Sequence, residues 1–371
     1  METELLKRLV DKSLTREELL ERVRQNFDLV PVLLARVNSF KRSVCMKSGQ
    51  SILITGGAGF IGSHLVDALT KMEKDCSIHV FDNLTSGTLR NVRQHLQKPN
   101  FSFVKGDLLK PSDINKLEHN HYPVVYHLAA NPEVKVGSIH PNIHFQQNIV
   151  TTYNLLEHLR KNENSSTIVF ASTSTVYGDA SQFPTPETYS PLTPISVYGA
   201  TKLACEALIT AYSHTYGFDA VIYRLANIIG PRSEHGVIYD FIQKLKKNAK
   251  KLEILGDGTQ TKSYLYVTDC IEAMLLGLER PTRRVQVYNL GSDDQINVKT
   301  IAQIIIEEMG LKNVKLCFTG GVDGGRGWKG DVKKMLLDIG KIKSLGWEPK
   351  LNSRQAIKAT VRASIQNRSE K

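Results

Sequence analysis

Tyr198 and Lys202 stand four residues apart in the stretch Tyr198-Gly199-Ala200-Thr201-Lys202, whose pattern is helical. That spacing puts both side chains on one helix face. An ammonium beside a phenol stabilises the phenolate and lowers its pKa, which makes the tyrosine a general base near neutrality. Some twenty residues upstream, an apolar strand from Thr167 to Ala171 ends in the hydroxyl-rich run Ser172-Thr173-Ser174-Thr175. A hydroxyl there can bond the same substrate oxygen and pass its proton on. Taken alone, a tyrosine and lysine so spaced also describe an exposed helix face with a structural tyrosine. A second chemical element decides between the two.

That element is Thr55-Gly-Gly-Ala-Gly-Phe-Ile-Gly-Ser-His-Leu65, which follows the short apolar run Ser51 to Ile54 and opens a helix with Phe60, Ile61, Leu65 and Leu69 on one face. Strand, glycine turn and helix in this order form a dinucleotide-binding βα unit. Gly56 turns the chain tightly out of the strand, Gly59 clears a path for a pyrophosphate, and Gly62 lets the helix pack closely. The helix N-terminus offers free N–H groups to phosphate. A second strand, Ile78 to Phe81, ends in Asp82, about twenty residues past Gly62. A carboxylate there accepts hydrogen bonds from the adenosine ribose and repels the extra phosphate of NADP, so the cofactor reads as NAD.

The elements that must position these groups alternate as β and α. Strands at Phe101 to Lys105 and Val124 to Leu128 end in Gly106-Asp107 and Ala129-Ala130, and a sixth spans Ala220 to Leu225. Small residues and an acid at successive strand ends suit a cofactor along the carboxyl edge of a doubly wound parallel sheet.

TGGAGFIGSHL, FDNLTSG, VKGD and HLAA together resemble the extended short-chain dehydrogenase/reductase family, in its NAD-dependent nucleotide-sugar epimerase/dehydratase branch, from about Ser51 to Pro349. The resemblance implies an α/β Rossmann domain (47–226 with 263–291) and a smaller α/β domain for a nucleotide sugar (227–262 with 292–371). It implies that Gly56, Gly59, Phe60, Ile61, Gly62, Asp82, Asn83, Asp107, Leu108, Ala129, Ala130 and Asn148 hold NAD together with Tyr198 and Lys202. Tyr198 becomes the base, Lys202 its activator and ribose ligand, and Thr173 the hydroxyl partner. Dehydratases of the branch carry Asp-Glu after that hydroxyl residue, and UDP-glucuronate decarboxylases keep the Glu; Ser174 and Thr175 stand there in this chain. Their hydroxyls favour simple oxidation and return of hydride, hence epimerisation at C4 of a UDP-hexose such as UDP-glucose or UDP-galactose. The helices from Asn142 to Lys161 and Tyr198 to Tyr216 resemble the branch's homodimer interface.

For the substrate, the resemblance points to Thr173, Tyr198, Asn227 at the domain crossing, Val237 against the nucleotide base and Lys262 toward the diphosphate. The run Arg326-Gly-Trp328-Lys329-Gly-Asp331-Val332 leaves three choices: Arg326 or Lys329 on the diphosphate, or Trp328 stacked on the nucleotide. The ending GGRGWKGDVKKMLLD resembles archaeal members. Other readings are a dehydratase or decarboxylase of the branch, or a silent NAD-binding regulator.

Composition excludes several classes. With 371 residues, 41% hydrophobic and 23% charged, the chain is ordinary globular protein, and no apolar run is long enough to cross a membrane. The net charge of +11 is spread along the chain without aromatic interleaving, which reads as a solvated surface or a funnel for an anionic substrate, not a nucleic-acid site. The five cysteines lack metal-ligand spacing and read as reduced thiols of a cytoplasmic protein. Residues 1–46 form a helical extension, with Thr15 and Glu18 as a capping box, serving as a regulatory module or a packed appendage; catalysis is expected to reside beyond it. Residues past Ala363 read as a frayed polar end.

Overall fold

The computed structural model describes residues 50–72, 76–117, 121–162, 166–278 and 284–366, all within one compact unit, Lys47–Lys371. The helices expected before Met46 lie outside the described residues.

Seven parallel strands form the main sheet: β1 (Ser51–Thr55), β2 (Ser77–Asp82), β3 (Phe101–Lys105), β4 (Val124–His127), β5 (Thr167–Thr173), β6 (Asp219–Leu225) and β11 (Val285–Leu290). Their order is β11-β6-β5-β4-β1-β2-β3. The chain winds outward in both directions from β1, so the switch point falls between β1 and β4, where a doubly wound sheet opens its ligand crevice. β1 and β5 read as nearly unbroken buried runs because helices cover both faces of such a sheet. The helices are α1 (Phe60–Met72), α2 (Thr151–Lys161), α3 (Val197–Tyr216) and, further on, α5 (Val267–Leu278), which packs on α1. Ser196 caps α3 by accepting from Gly199 N, and Gly217 ends it in a left-handed conformation. Leu53, Phe81, Val125, Leu155, Ile168, Phe170 and Ile209 make one core between sheet and helices. Each fully buried side chain of this kind contributes about 1.5–3 kcal/mol.

A second core gathers Phe241, Ile242, Leu252, Ile301, Ile305, Ile357 and Val361. It is built by α4 (Gly236–Lys247), α6 (Val298–Glu308), α7 (Ser353–Gln366) and short strands. These pair as β7 (Asn227–Ile229) with β10 (Tyr264–Tyr266), and β8 (Lys251–Ile254) with β13 (Lys315–Phe318). The third set places β9 (Thr261–Lys262) between β12 (Ile296–Asn297) and β14 (Lys334–Met335).

Two details depart from the sequence reading. The stretch from Asn142 to Lys161 is not one α-helix: a short turn, Pro141–His144, runs into a π-helical stretch, Phe145–Val150, before α2 begins. The wider turn frees the Asn148 carbonyl, which accepts from Thr152 at 2.6 Å and Thr151 at 3.2 Å. The expected fraying at Ala363 does not occur either. Helix α7 continues to Gln366, anchored by buried Val361 and by Arg362, whose Nε donates to Glu308 at 2.7 Å.

Candidate active site

The glycine turn sits at the switch point. Gly56 has φ +72°, and a Cβ there would meet the Ala129 nitrogen at 2.7 Å, so both the conformation and the closeness of the β4 exit demand glycine. A Cβ on Gly62 would collide with the Gly56 carbonyl, so this residue packs α1 on the turn itself more than on the sheet. Gly59 faces only the Gly56 carbonyl, at 3.1 Å, which leaves its backbone approachable. Asp82 is buried at the end of β2, where Oδ2 accepts from Ala58 N at 2.9 Å and Oδ1 from Leu84 N at 2.8 Å. Burial raises its pKa, opposed by these two N–H donors. Phe60 and Ile61 open α1 half-buried, and Asn83 accepts from Thr85 N at 3.0 Å in the loop beyond β2. An approachable glycine backbone, a helix start and a strand-end carboxylate fit NAD, whose pyrophosphate and adenosine ribose such groups hold.

Further along the edge, Asp107 turns the chain after β3 by accepting from Leu109 N at 2.9 Å. Leu108 packs into the first core, and its carbonyl accepts from Asn154 at 2.8 Å. Ala129 and Ala130 are half-buried at the β4 exit. Asn148, expected beside the cofactor, is fully buried. Its Oδ1 accepts from Asn131 N at 2.9 Å and its Nδ2 donates to Thr201 at 3.0 Å, which ties the loop after β4 to α3.

Thr173 ends β5 and Tyr198 and Lys202 share a face of α3, so the three meet at the crevice. The Thr173 side chain hydrogen-bonds the Tyr198 phenol and also lies 3.1 Å from the Thr175 hydroxyl. Burial pushes the phenol up, and the Thr173 contact pulls it back down. Lys202 Nζ donates to the Ala171 carbonyl at 2.7 Å and rests 4.5 Å from the Phe170 ring centre, while burial lowers its pKa to about 8. Lys202 is thus held on β5.

A buried polar chain supports this centre and was not legible in the sequence. Thr55 Oγ1 lies 2.8 Å from His127 Nδ1, and His127 Nε2 lies 2.9 Å from Thr152 Oγ1. Since Thr152 donates to the Asn148 carbonyl, the imidazole donates through Nε2 and accepts from Thr55 through Nδ1. Burial, with Lys202 nearby, lowers His127 to about 3, so it is neutral. Its one visible signal was a polar residue closing the apolar strand Val124–His127. Gly57 packs on Val80, and Gly87 and Asn91 close on the Ala58 backbone; these too were missed.

On the opposite wall, Asn227 Nδ2 donates to the Ser263 carbonyl at 3.0 Å and Val237 borders the second core. Both cations expected at a diphosphate are ion-paired. Lys262 donates to Asp331 at 2.7 Å, and Arg326 forms a two-pronged pair with Asp179, at 3.1 and 2.7 Å. The Trp328 ring lies 5.9 Å from Lys262 Nζ, with its indole N–H buried and unpartnered. Lys329 is exposed.

Residues 52–291 match the NAD dependent epimerase/dehydratase family. The chain is 34% identical to a Methanocaldococcus jannaschii protein named "Putative UDP-glucose 4-epimerase", over 84% of this chain and 97% of that one. It is 32% identical to UDP-glucuronic acid decarboxylase 2 of Arabidopsis thaliana, over 85% of this chain and 68% of the relative. A crystal structure of a UDP-galactose 4-epimerase superposes with TM-score 0.75 and 40% identity, covering 86% of this chain and 100% of the other. The fold, the cofactor cradle and these likenesses agree: the chain belongs to the NAD-dependent epimerase/dehydratase family, with NAD as its cofactor.

Proposed function

We propose that the protein interconverts UDP-hexoses at C4, UDP-glucose with UDP-galactose, through a transient 4-keto sugar. The observation that carries this reading is the flank of Thr173: Ser174 and Thr175 bring hydroxyls where elimination or decarboxylation would call for carboxylates. When bound, NAD supplies reversible hydride acceptance. The chain's own part is proton handling and orientation. Thr173, already hydrogen-bonded to the Tyr198 phenol, holds the sugar hydroxyl against it. Tyr198 takes the C4 hydroxyl proton and gives it back, and the Lys202 ammonium favours the phenolate as it forms. Lys262, Arg326 and the Trp328 indole N–H hold the diphosphate. Likeness to the Methanocaldococcus jannaschii protein named as a putative UDP-glucose 4-epimerase and to the UDP-galactose 4-epimerase crystal structure supports the same choice.

We include a homodimer and a cytoplasmic setting in this reading. Phe145, Tyr153 and Tyr216 expose large apolar surface on the helices expected at an interface. Cys76, Cys205 and Cys270 are buried, reduced thiols.

Incubation with UDP-glucose and NAD, followed by product analysis, tests the function. UDP-galactose without net NADH is expected. A 4-keto-6-deoxy sugar, or a pentose from UDP-glucuronate, would replace this reading with the dehydratase or decarboxylase one.

A further inference from the structure

The catalytic helix carries a third charged residue in register with Tyr198 and Lys202. Glu206 stands four residues beyond Lys202 and is 5% exposed. It accepts the hydroxyl of Ser172, the residue before Thr173. It also takes two sides of the Arg224 guanidinium, Nη2 at 2.8 Å and Nε at 3.2 Å. Arg224 is buried on β6 as the register partner of Ser172. Its Nη1 donates to Tyr177 Oη at 3.0 Å, and its guanidinium lies 4.9 Å from that ring's centre. Tyr177 in turn donates to Asn289 at 2.7 Å. Tyr177 closes the 3₁₀ turn Ser174–Tyr177 that follows Thr173.

The strand end bearing Thr173 is therefore gripped before and after by one buried assembly centred on Glu206. Stability alone does not call for it, since apolar residues of similar volume often replace a buried ion pair without loss. Its location is the informative feature. We propose that Glu206 is a positioning residue whose carboxylate, through Ser172, aims the Thr173 hydroxyl at Tyr198.

The proposal rests on Tyr198 and Lys202 as the proton-handling pair. Glu206→Gln is expected to lower kcat about 10- to 100-fold with KM little changed, as loss of one charge-assisted hydrogen bond implies. Glu206→Asp, which keeps the carboxylate, should recover part of the rate. Glu206→Gln combined with Arg224→Met removes the unpaired buried charge and should fold, yet stay slow. Ser172→Ala keeps the ion pair but removes the charge-assisted hydrogen bond through which Glu206 acts, and is expected to lose kcat about tenfold or more. Unchanged kcat in Ser172→Ala, or full recovery in the double variant, would overturn the proposal. Should the wild type turn over no nucleotide sugar, the function reading fails separately. Positioning is then read from phenolate absorbance, as the difference between wild type and Tyr198→Phe, with and without Glu206→Gln. A Tyr198 titration that Glu206→Gln leaves in place would sink the proposal there.

Discussion

The two walls of the cleft are built on different electrostatic plans. On the cofactor wall, Asp82, His127, Asn148, Thr152 and Lys202 are all buried, and each is hydrogen-bonded within the protein. On the wall proposed for the diphosphate, Arg326 waits on a half-exposed Asp179, in a loop whose Gly320, Gly321, Gly324, Gly325 and Gly330 all have positive φ. Buried networks hold geometry because breaking one leaves a costly orphan. Partly exposed ion pairs are worth only about 0–1 kcal/mol, so an anionic ligand exchanges with them cheaply. The buried wall is thus preorganised, and on the proposed reading the grip on the substrate's phosphates is exchangeable.

The sharpest break on the cofactor wall is Tyr198→Phe, which should cost about 10²- to 10⁴-fold in kcat while NAD still co-purifies with the protein. Near-normal turnover would remove Tyr198 from its role. Next comes His127, whose folded pKa of about 3 lies below its ordinary 6.5. A group depressed in this way supports stability fully above pH 6.5 and loses that support as pH falls toward 3. Between pH 7 and pH 4 the loss is roughly 3 kcal/mol, and His127→Gln should flatten that limb of a denaturant-derived stability profile. Gly62→Ala drives a methyl into the Gly56 carbonyl and should cost about 1–3 kcal/mol together with NAD affinity. Normal NAD titration with unchanged melting would contradict that packing.

The other wall should answer more softly. Asp179→Asn releases Arg326 from its pair, so KM for the UDP sugar should fall about two- to fivefold with kcat held, in line with a partly exposed pair. A rise in KM would mean that Asp179 positions Arg326 for binding.

How much was legible follows from how local each cause is. The glycine turn, the strand ends and the Tyr198–Lys202 face depend on backbone sterics and helix periodicity, which a few adjacent residues carry. The doubly wound parallel sheet followed from βα alternation, whereas its strand order and switch point came only with the fold. The partners of the site did not follow either, because they are distant in the chain: Thr55 and His127 are 72 residues apart, and Arg326 and Asp179 are 147. No window of sequence contains such a pair. Glu206 had a faint signal in its helical register with Lys202, but its meaning depends on Arg224 arriving from β6.

By itself, then, the amino-acid sequence determined which chemical groups this protein owns and on which elements they ride, since spacing and side-chain type act locally. The tertiary structure alone decided what each group is bonded to. It turned Lys202 onto the Ala171 carbonyl, made His127 a neutral strut and set Arg326 against Asp179. Burial and through-space charge decide such matters, and both come into being only when the distant strands have packed.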